Sequence, residues 1–334
     1  MNDQKVQDFF KDIPNITALV VGDVMVDAYL FGSVNRISPE APVPIFDVKN
    51  RENRLGGAAN VALNLKALGA KTLLAGVIGE DTKGDIFLDL LKEQQIGYEG
   101  IVRLKNRPTI SKTRIIAGSH HILRVDEEDK QNINEAAQAL FMEKINDLFH
   151  KNSVDVVIFE DYDKGLLNDN LIELITEIAL SQGAKICVDP KKNNFWAYPN
   201  THLFKPNFKE FVEGIKVDIT KSDFVLLEKE LNAFAQKQNI QNILLTLSEL
   251  GVLMLNSTEN IHLPAQLRNI ADVSGAGDTV ISVAALALTY GLSNKQIAFL
   301  ANLAGGLVCE EVGTVAINQH QLLAECKALL ATKN

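Results

Sequence analysis

The stretch "NITALVVGD" (Asn15–Asp23) predicts the fold of this chain. It is an apolar, β-prone run that ends in a glycine and an aspartate, which is typical of a strand buried on both faces. The same pattern returns in "KTLLAGVIGED", "VDVVIFEDYD", "AKICVDPK", "HLFKPN" and "NILLTLS". Amphipathic stretches such as "DIFLDLLKEQQ" and "DNLIELITEIALSQ" are interspersed with these runs. Strands that alternate with helices predict an α/β fold with a mainly parallel central sheet flanked by helices.

The composition favours one globular domain and excludes some classes of partner. The chain has 334 residues, of which 46% are hydrophobic and 22% are charged. We expect residues 1–334 to form a single domain that buries its core without disulfides or a structural metal. The net charge of −9 argues against a nucleic-acid-binding face, which needs clustered basic residues.

Three further features bear on the compartment. The cysteines Cys187, Cys309 and Cys326 are widely spaced and form no C-x-x-C motif, which argues for a reducing environment. The opening residues, Met1–Asn15, lack the apolar core of a signal peptide. The longest nearly apolar stretch, around Val280–Leu292, is shorter than the roughly 20 residues of a membrane span. We therefore expect a cytoplasmic protein that binds no membrane.

Two stretches, residues 27–53 and 100–127, interrupt the alternation of strands and helices. The first holds three prolines among short β-prone pieces, and the second alternates like antiparallel strands joined by polar turns. Together they predict a small inserted β-sheet that covers one edge of the main domain as a lid or a dimerisation surface. The alternative is a pair of surface hairpins. A lid sheet that pairs between subunits would give a homodimer, although exposed strand edges alone do not establish one.

A glycine-rich turn late in the chain, "DVSGAGDTV" (Asp272–Val280), is a candidate anion site at a predicted helix start. The residues Gly275–Gly277 can point successive backbone N–H groups at one spot, and the positive end of the helix adds to that field. Asp278 would then lie beside the anion as a catalytic acid or base. The alternative is an ordinary turn in which Asp278 favours the helix start. In either case we expect Asp272 to fix the turn.

A second glycine motif, "RLGGAANVALNLKALGA" (Arg54–Ala70), also precedes a predicted helix. Gly56 and Gly57 let the backbone approach a ligand closely, and Asn60 on the first turn can hydrogen-bond a hydroxyl. The alternative is a helix entry that Asn60 merely caps. Asp27 follows the first strand, where a carboxylate can bind sugar hydroxyls.

Polar residues also follow three later strands, at the ends where parallel sheets bind ligands. Asn207 and Glu210 lie at i, i+3 on one face of a helical turn. This pair suits a hydrated Mg²⁺ and phosphate oxygens, or it caps the helix. The stretch "TLSELG" (Thr246–Gly251) is compatible with phosphate contacts or with a hairpin turn. "EDYDKG" places Asp161 and Lys164 after another strand.

Taken in chain order, these motifs resemble those of the ribokinase-like (PfkB) carbohydrate kinase family. The family pattern Gly-Gly-x-x-x-Asn corresponds to Gly56–Asn60, Asn-x-x-Glu to Asn207–Glu210, and Asp-Thr-x-Gly-Ala-Gly-Asp to Asp272–Asp278. In the last motif a Val-Ser pair departs mildly from the commonest form but leaves the glycines and the final aspartate intact. The match covers nearly the whole chain. A closer resemblance, carried by "RISPEAPVP", "EDYDKG" and both glycine motifs, is to the D-glycero-β-D-manno-heptose 7-phosphate 1-kinases.

The resemblance implies a ribokinase-like fold and ATP-dependent phosphorylation of the anomeric hydroxyl of that heptose phosphate. This reaction lies on the route to ADP-heptose for lipopolysaccharide and other surface glycans. Many members of that branch carry a C-terminal adenylyltransferase domain. This chain stops after the kinase and its final helix, so the resemblance implies the stand-alone form. The implied cofactors are ATP and Mg²⁺, with a monovalent cation such as K⁺ left open.

The resemblance also implies a role for each candidate residue. Asp278 is the implied base, and the amides of Gly275, Ala276 and Gly277 are the implied anion hole. ATP and Mg²⁺ are assigned to Asn207, Phe208, Lys209, Glu210, Thr246, Ser248, Gly251 and Asn302, with the metal held by Glu210 and, through water, by Asn207. The sugar phosphate is assigned to Asp27, Gly56, Gly57, Asn60, Lys112, Arg114, Arg124, Asp161 and Lys164, with the cation that binds its phosphate left open.

Three other functions compete with this one. The first is another sugar or sugar-phosphate kinase of the same family. The second is a non-catalytic sugar or nucleotide sensor on the same fold, which loss of Asp278 or of the glycines would have favoured. The third is a dinucleotide-dependent oxidoreductase, which lacks support because no glycine fingerprint follows the first strand.

Overall fold

A computed structural model describes residues 3–118, 120–266 and 268–331. The strands are β1 (Thr17–Gly22), β2 (Val24–Ile37), β3 (Pro44–Gly57), β4 (Lys71–Gly79), β5 (Gly100–Leu104), β6 (Ser111–Ala117), β7 (His120–Glu127), β8 (Val156–Glu160), β9 (Lys185–Asp189), β10 (Leu203–Phe204), β11 (Asn242–Thr246), β12 (Val252–Asn256) and β13 (Asn260–Leu263). The helices are α1 (Asp3–Asp12), α2 (Ala58–Ala67), α3 (Thr82–Glu93), α4 (Glu135–Lys151), α5 (Asp169–Ser181), α6 (Phe208–Ile215), α7 (Phe224–Gln238), α8 (Ala276–Tyr290), α9 (Asn294–Val308) and α10 (Gln319–Ala331).

Within the described residues, the central sheet has nine strands in the order β13-β12-β11-β10-β9-β8-β1-β4-β5. Neighbouring strands run parallel from β5 through to β11. The strands β12 and β13 add an antiparallel edge. The predicted α/β fold with a mainly parallel central sheet is therefore confirmed.

The alternation of side chains along β1 explains why helices cover both faces of this sheet. Ala18 and Val20 point into one hydrophobic core, whereas Leu19 and Val21 point into the other. The first core takes side chains from α2, α8 and α9, and the second takes them from α4, α5 and α7. A strand that is apolar on both faces needs such a layer on each side.

A second sheet, of four strands among the described residues, has the order β3-β2-β6-β7. The long strands β2 and β3 form an antiparallel hairpin, β6 joins β2 in parallel, and β7 returns antiparallel to β6. We call this four-stranded sheet the lid sheet. The two segments that interrupt the sequence pattern therefore do build a small separate sheet, and the antiparallel strands expected within the second segment are β6 and β7.

The predicted boundary of the second segment is wrong at its start. Residues 100–104 form β5, which pairs in parallel with β4 at the edge of the central sheet. The helix α3 makes the crossover between these two strands, as a parallel connection requires. The lid part of this segment accordingly begins at β6. The first segment is also longer than expected, because β2 starts at Val24 and β3 ends at Gly57.

No helix among the described residues is both long enough and apolar enough to cross a bilayer. The most apolar stretch of the sequence lies in α8, a helix of 15 residues that is buried between the central sheet and α9. The burial of α8 brings its first turn to the carboxyl ends of the strands.

The burial of β1 on both faces predicts a large effect of truncating one of its side chains. Leu19 is fully buried, so Leu19→Ala should lower the free energy of unfolding by about 2–5 kcal/mol through lost burial and a cavity. Urea denaturation followed by circular dichroism measures the change. The matched control is Leu180→Ala on α5, because Leu180 is 40% exposed and should change stability by less than about 0.5 kcal/mol. Similar losses in the two variants would contradict this account of the sheet.

Candidate active site

The carboxylate of Asp278 is the centre of a buried polar cluster at the carboxyl ends of β1, β8 and β9. It lies on the first turn of α8 and is 5% exposed. Its Oδ2 accepts a hydrogen bond of 2.7 Å from Asn60 Nδ2, and its Oδ1 accepts one of 3.0 Å from the Tyr162 hydroxyl. Burial raises the pKa of Asp278 to about 6, against the hydrogen bond from Asn60, which favours the charged form. A carboxyl group with this pKa can exchange a proton near neutral pH.

The turn before Asp278 presents backbone donors. Gly275 precedes α8 with a φ of 80°, a left-handed conformation that favours glycine, and a Cβ there would lie 2.9 Å from Asn60 Nδ2. The amide of Ala276 donates a long bond to the Val273 carbonyl. Among the described residues, the amide N–H groups of Gly277 and Asp278 have no backbone or side-chain acceptor. Free amides at a helix N-terminus can bind an anion.

Asp272 fixes this turn, as expected from the sequence. Its Oδ1 accepts hydrogen bonds from the backbone and the hydroxyl of Ser274, and its Oδ2 accepts one of 3.0 Å from the amide of Gly313. Although burial acts in the opposite direction, these bonds hold the pKa of Asp272 below its usual value. The same loop is tied to the lid sheet, because Arg54 on β3 donates to the carbonyls of Val312 and Thr314.

Two buried carboxylates beside Asp278 were missed at the level of the sequence. Glu160 and Asp189 are the last residues of β8 and β9, and one oxygen from each lies within 4.8 Å of the others and of Asp278. Neither carboxylate oxygen of Glu160 has a donor among the described residues, and the same holds for Asp189 Oδ1. Burial and the charge of Asp189 raise the pKa of Glu160 well above its usual value. Their positions at strand ends were the available signal.

Two lysines, Lys205 buried and Lys191 partly buried, partly balance these carboxylates. Lys205 Nζ lies 2.7 Å from Asp189 Oδ2, and both side chains are at most 5% exposed. Lys191 forms an ion pair with Glu210 and lies 5.2 Å from the centre of the Tyr162 ring. The cluster therefore alternates acidic and basic groups, which suits a phosphate chain that carries a cation.

Asn207 and Glu210 form a capping box at the start of α6. Asn207 Oδ1 accepts from the Glu210 amide and Glu210 Oε2 accepts from the Asn207 amide, each at 2.8 Å. The capping alternative is therefore realised for both side chains, and the remaining oxygen of Glu210 faces Lys191. Phe208 packs against the second core, and Lys209 is largely exposed and faces Glu213.

The other residues expected on the nucleotide side lie around the turn after β11. Thr246 ends β11 and pairs through its backbone with Asn207. A tight turn follows, in which Ser248 and Gly251 have positive φ and the Leu247 amide donates to the Gly251 carbonyl. The backbone of Pro264 packs against Gly251, and its carbonyl accepts a hydrogen bond from the side chain of Asn302 on α9.

On the opposite side of Asp278, the start of α2 meets the lid sheet. Asn60 is fully buried, and its Oδ1 has no donor among the described residues. Asp27 lies beside Gly56, where a Cβ would come within 2.5 Å of Asp27 Oδ2, so this pairing of strands needs a glycine. Gly57 is the residue directly before α2.

Asp161 and Asp23 fix the segment that carries Tyr162. Asp161 accepts hydrogen bonds from the Asp163 amide, Asn194 Nδ2 and the Tyr198 hydroxyl. Asp23 accepts the amides of Tyr162 and Lys164 at 3.0 Å each. Both carboxylate oxygens of Asp161 thus accept hydrogen bonds from the protein, and these bonds shape the turn after β8.

Of the cations expected to bind the substrate phosphate, Lys112, Arg114 and Arg124 lie on the lid sheet, and Lys164 lies in the turn after β8. Lys112 Nζ lies 5.3 Å from the centre of the Tyr162 ring, and Lys164 Nζ forms a 2.8 Å ion pair with Glu128. Arg114 pairs with Asp27 at 2.6 Å. Arg124 pairs with Asp126 at 2.8 Å and is mostly exposed.

Known proteins with similar sequences are carbohydrate kinases of one family and bifunctional proteins. The sequence profile of the pfkB family carbohydrate kinases matches residues 16–321. Two relatives, each named Bifunctional protein HldE, are 35% identical over 323 residues in Syntrophotalea carbinolica and 40% identical over 312 residues in Desulfatibacillum aliphaticivorans. The matches cover 96% and 92% of this chain but only 65% and 62% of those proteins.

A solved structure shows the same fold. Phosphofructokinase-2 from Escherichia coli in complex with potassium superposes with a TM-score of 0.77 at 18% identity, covering 95% of this chain and 99% of that one. The two sheets, the turn before α8 and the match along nearly the whole chain agree on one classification. The chain belongs to the pfkB family of carbohydrate kinases.

Proposed function

We propose that this kinase transfers the γ-phosphoryl group of ATP to the anomeric hydroxyl of D-glycero-β-D-manno-heptose 7-phosphate. The product would be the 1,7-bisphosphate, a precursor of ADP-heptose for surface glycans, made in the cytoplasm where ATP is available. The similarity to the two HldE proteins and the motifs "RISPEAPVP" and "EDYDKG" support the choice of substrate. The reaction type is inferred from one observation. The buried Asp278 carboxylate lies beside the amide of Gly277, which has no acceptor among the described residues.

In this mechanism Asp278 is the general base. It takes the proton of the anomeric hydroxyl while that oxygen forms a bond to the γ-phosphorus and the bond to the β-phosphate oxygen breaks, releasing ADP. The amide N–H groups of Gly277 and Asp278 stabilise the charge on the phosphoryl group, aided by the positive end of α8. The hydrogen bonds from Asn60 and Tyr162 hold the carboxylate in place.

The residues fit a divalent cation and ATP on the side of β8, β9 and α6. Oxygen-rich sites suit Mg²⁺, and both carboxylate oxygens of Glu160 and Oδ1 of Asp189 are buried with no donor in the part of the chain that the structure describes. These two carboxylates would hold the metal, which neutralises phosphate charge when bound, and Glu210 and Asn207 would contribute through water. Lys205 and Lys191 would face the phosphates, with Thr246, Ser248 and Gly251 nearby. K⁺ is proposed as a second cofactor, supported by the potassium bound to the related E. coli kinase.

The sugar would lie between Asp278 and the lid sheet. Asn60 Oδ1 is a buried acceptor for which the described residues supply no donor, so it would accept a hydrogen bond from a hydroxyl of the sugar. Asp27 and the backbone of Gly56 and Gly57 would contact further hydroxyls. Closure of the lid sheet would exclude water, which otherwise competes as phosphoryl acceptor.

We also propose a homodimer formed through the lid sheets. Large apolar side chains on several strands of this sheet are exposed, including Ile37, Val48, Leu123 and Val125. Exposed apolar side chains on a small sheet with open edge strands favour pairing with a second copy.

The role of Asp278 predicts the effect of removing its charge. Asp278→Asn keeps the shape and the hydrogen-bond partners but cannot accept the proton, so kcat should fall by about 100- to 10,000-fold while ATP binding and folding persist. Coupled ADP-release kinetics and calorimetric titration of ATP measure the two properties. The control is Asp218→Asn, since Asp218 is exposed and should leave kcat unchanged. Turnover close to wild type in Asp278→Asn would refute the assignment of the base.

The pKa of Asp278, raised to about 6, predicts the acidic side of the pH profile. Because the base must be ionised, kcat should fall as pH drops below about 6, by about tenfold per unit. Asn60→Ala should move this limb to higher pH, since the hydrogen bond from Asn60 favours the ionised form. Single-turnover rates between pH 4.5 and 8 measure both effects. A flat wild-type profile over this range would contradict the proposal.

The choice of substrate has a direct test. In a screen of ATP consumption with Mg²⁺, with and without K⁺, heptose 7-phosphate should give a kcat/KM far above that for ribose, fructose, fructose 6-phosphate or adenosine. If another sugar or sugar phosphate is preferred, the proposed substrate is wrong while the membership in the kinase family stands.

A further inference from the structure

The cations near the lid sheet are not all held in ion pairs. Of Lys112, Arg114, Lys164 and Arg124, three have a carboxylate partner: Arg114 with Asp27, Lys164 with Glu128 and Arg124 with Asp126. Among the described residues, Lys112 is the member of this group for which no ion pair is found. Its ammonium therefore remains available to an anion from outside the protein.

Lys112 is held in surroundings where an unpaired ammonium is costly. It lies on β6 directly opposite Asp27 on β2, but that carboxylate is engaged by Arg114. Burial lowers the pKa of Lys112, and the charges of Lys164 and Arg124 act in the same direction, although the charges of Asp27 and Asp126 act against it. An incompletely solvated cation among other cations gains stability when an anion binds.

The position of Lys112 relative to the base is also informative. Its Nζ lies over the face of Tyr162, whereas the hydroxyl of the same tyrosine donates to Asp278 Oδ1. One tyrosine side chain thus separates the ammonium from the group that deprotonates the acceptor. An anion bound to Lys112 would belong to the part of the acceptor remote from its reacting hydroxyl.

We infer that Lys112 is the residue that selects a phosphorylated acceptor, by binding the phosphate that the sugar carries at the end remote from its reacting hydroxyl. Lys164 and Arg124 add positive potential, but Glu128 and Asp126 already satisfy their charges. This inference rests on the proposed function, whose acceptor is a sugar, and adds which cation reads the phosphate of that acceptor.

The inference is tested by the preference for a phosphorylated over an unphosphorylated acceptor. For the wild-type enzyme and Lys112→Gln, kcat/KM is measured with heptose 7-phosphate and with the free heptose. Loss of a charged hydrogen bond should lower the ratio of the two values by about 10- to 150-fold. This loss should appear mainly as a higher KM for the phosphorylated sugar, with kcat little changed. Lys112→Arg keeps the positive charge and should restore much of the ratio.

Inorganic phosphate gives a second readout that needs no turnover. It should compete with heptose 7-phosphate for the wild-type enzyme and bind at least about tenfold more weakly to Lys112→Gln, as measured by calorimetric titration. The control is Lys49→Gln, since Lys49 is an exposed lysine of the same sheet on β3, and this variant should keep both the ratio and the phosphate affinity.

The outcomes separate this inference from the proposed function. If Lys112→Gln loses activity equally with both acceptors and binds phosphate normally, Lys112 does not read the phosphate and the inference is overturned. If a different sugar phosphate is the preferred acceptor but the preference still depends on Lys112, the proposed substrate fails and the inference stands. If no sugar is accepted, the phosphate titration decides. Weaker phosphate binding to Lys112→Gln supports the inference, and equal binding to the wild type and the variant overturns it.

Discussion

A buried carboxylate needs hydrogen-bond donors, because burying it without them is costly in free energy. The site is organised around supplying these donors to Asp278. Its two oxygens take donors from two different parts of the chain, Asn60 at the start of α2 and Tyr162 in the turn after β8. Asp23 in turn holds the backbone of that turn. Three elements that are far apart in sequence are thereby fixed at one point, which lies between the acidic and basic groups proposed to bind the nucleotide and the lid sheet proposed to bind the sugar.

Much of the fold could be predicted from the sequence because the central strands carry their burial pattern locally. Runs such as the one that became β1 are apolar on both faces, and this alone requires a layer of helices on each side. The lid sheet was harder to delimit, since residues 100–104 have the same β-prone composition whether they join it or the central sheet. Only the crossover through α3 decides, and that is a property of the assembled chain. The helix α1 was not predicted, because its few apolar residues, including Phe9, find their partners only in the folded chain.

In the candidate site, too, sequence motifs could be predicted, whereas contacts that form only in the folded chain could not. Glycines and an aspartate at a helix start are visible as a motif, so the turn before Asp278 was found. Glu160 and Asp189 were missed because each is an ordinary last residue of a strand, and their proximity exists only in the sheet. Asn207 and Glu210 illustrate a further limit. Capping and metal binding use the same side chains, so the sequence alone does not choose between them, and the structure shows the capping bonds.

The loop around Gly313 connects the lid sheet to the turn before α8 through hydrogen bonds. Arg54 from the lid hairpin holds the carbonyls on either side of Gly313, and the amide of Gly313 binds the aspartate that fixes the turn before α8. A displacement of the hairpin therefore acts on the turn that presents the free amides. By thermodynamic reciprocity, an anion bound to those amides must favour the same position of the hairpin that favours the anion. Acceptor and nucleotide would then bind as cooperative ligands, coupled through the hairpin and the loop around Gly313.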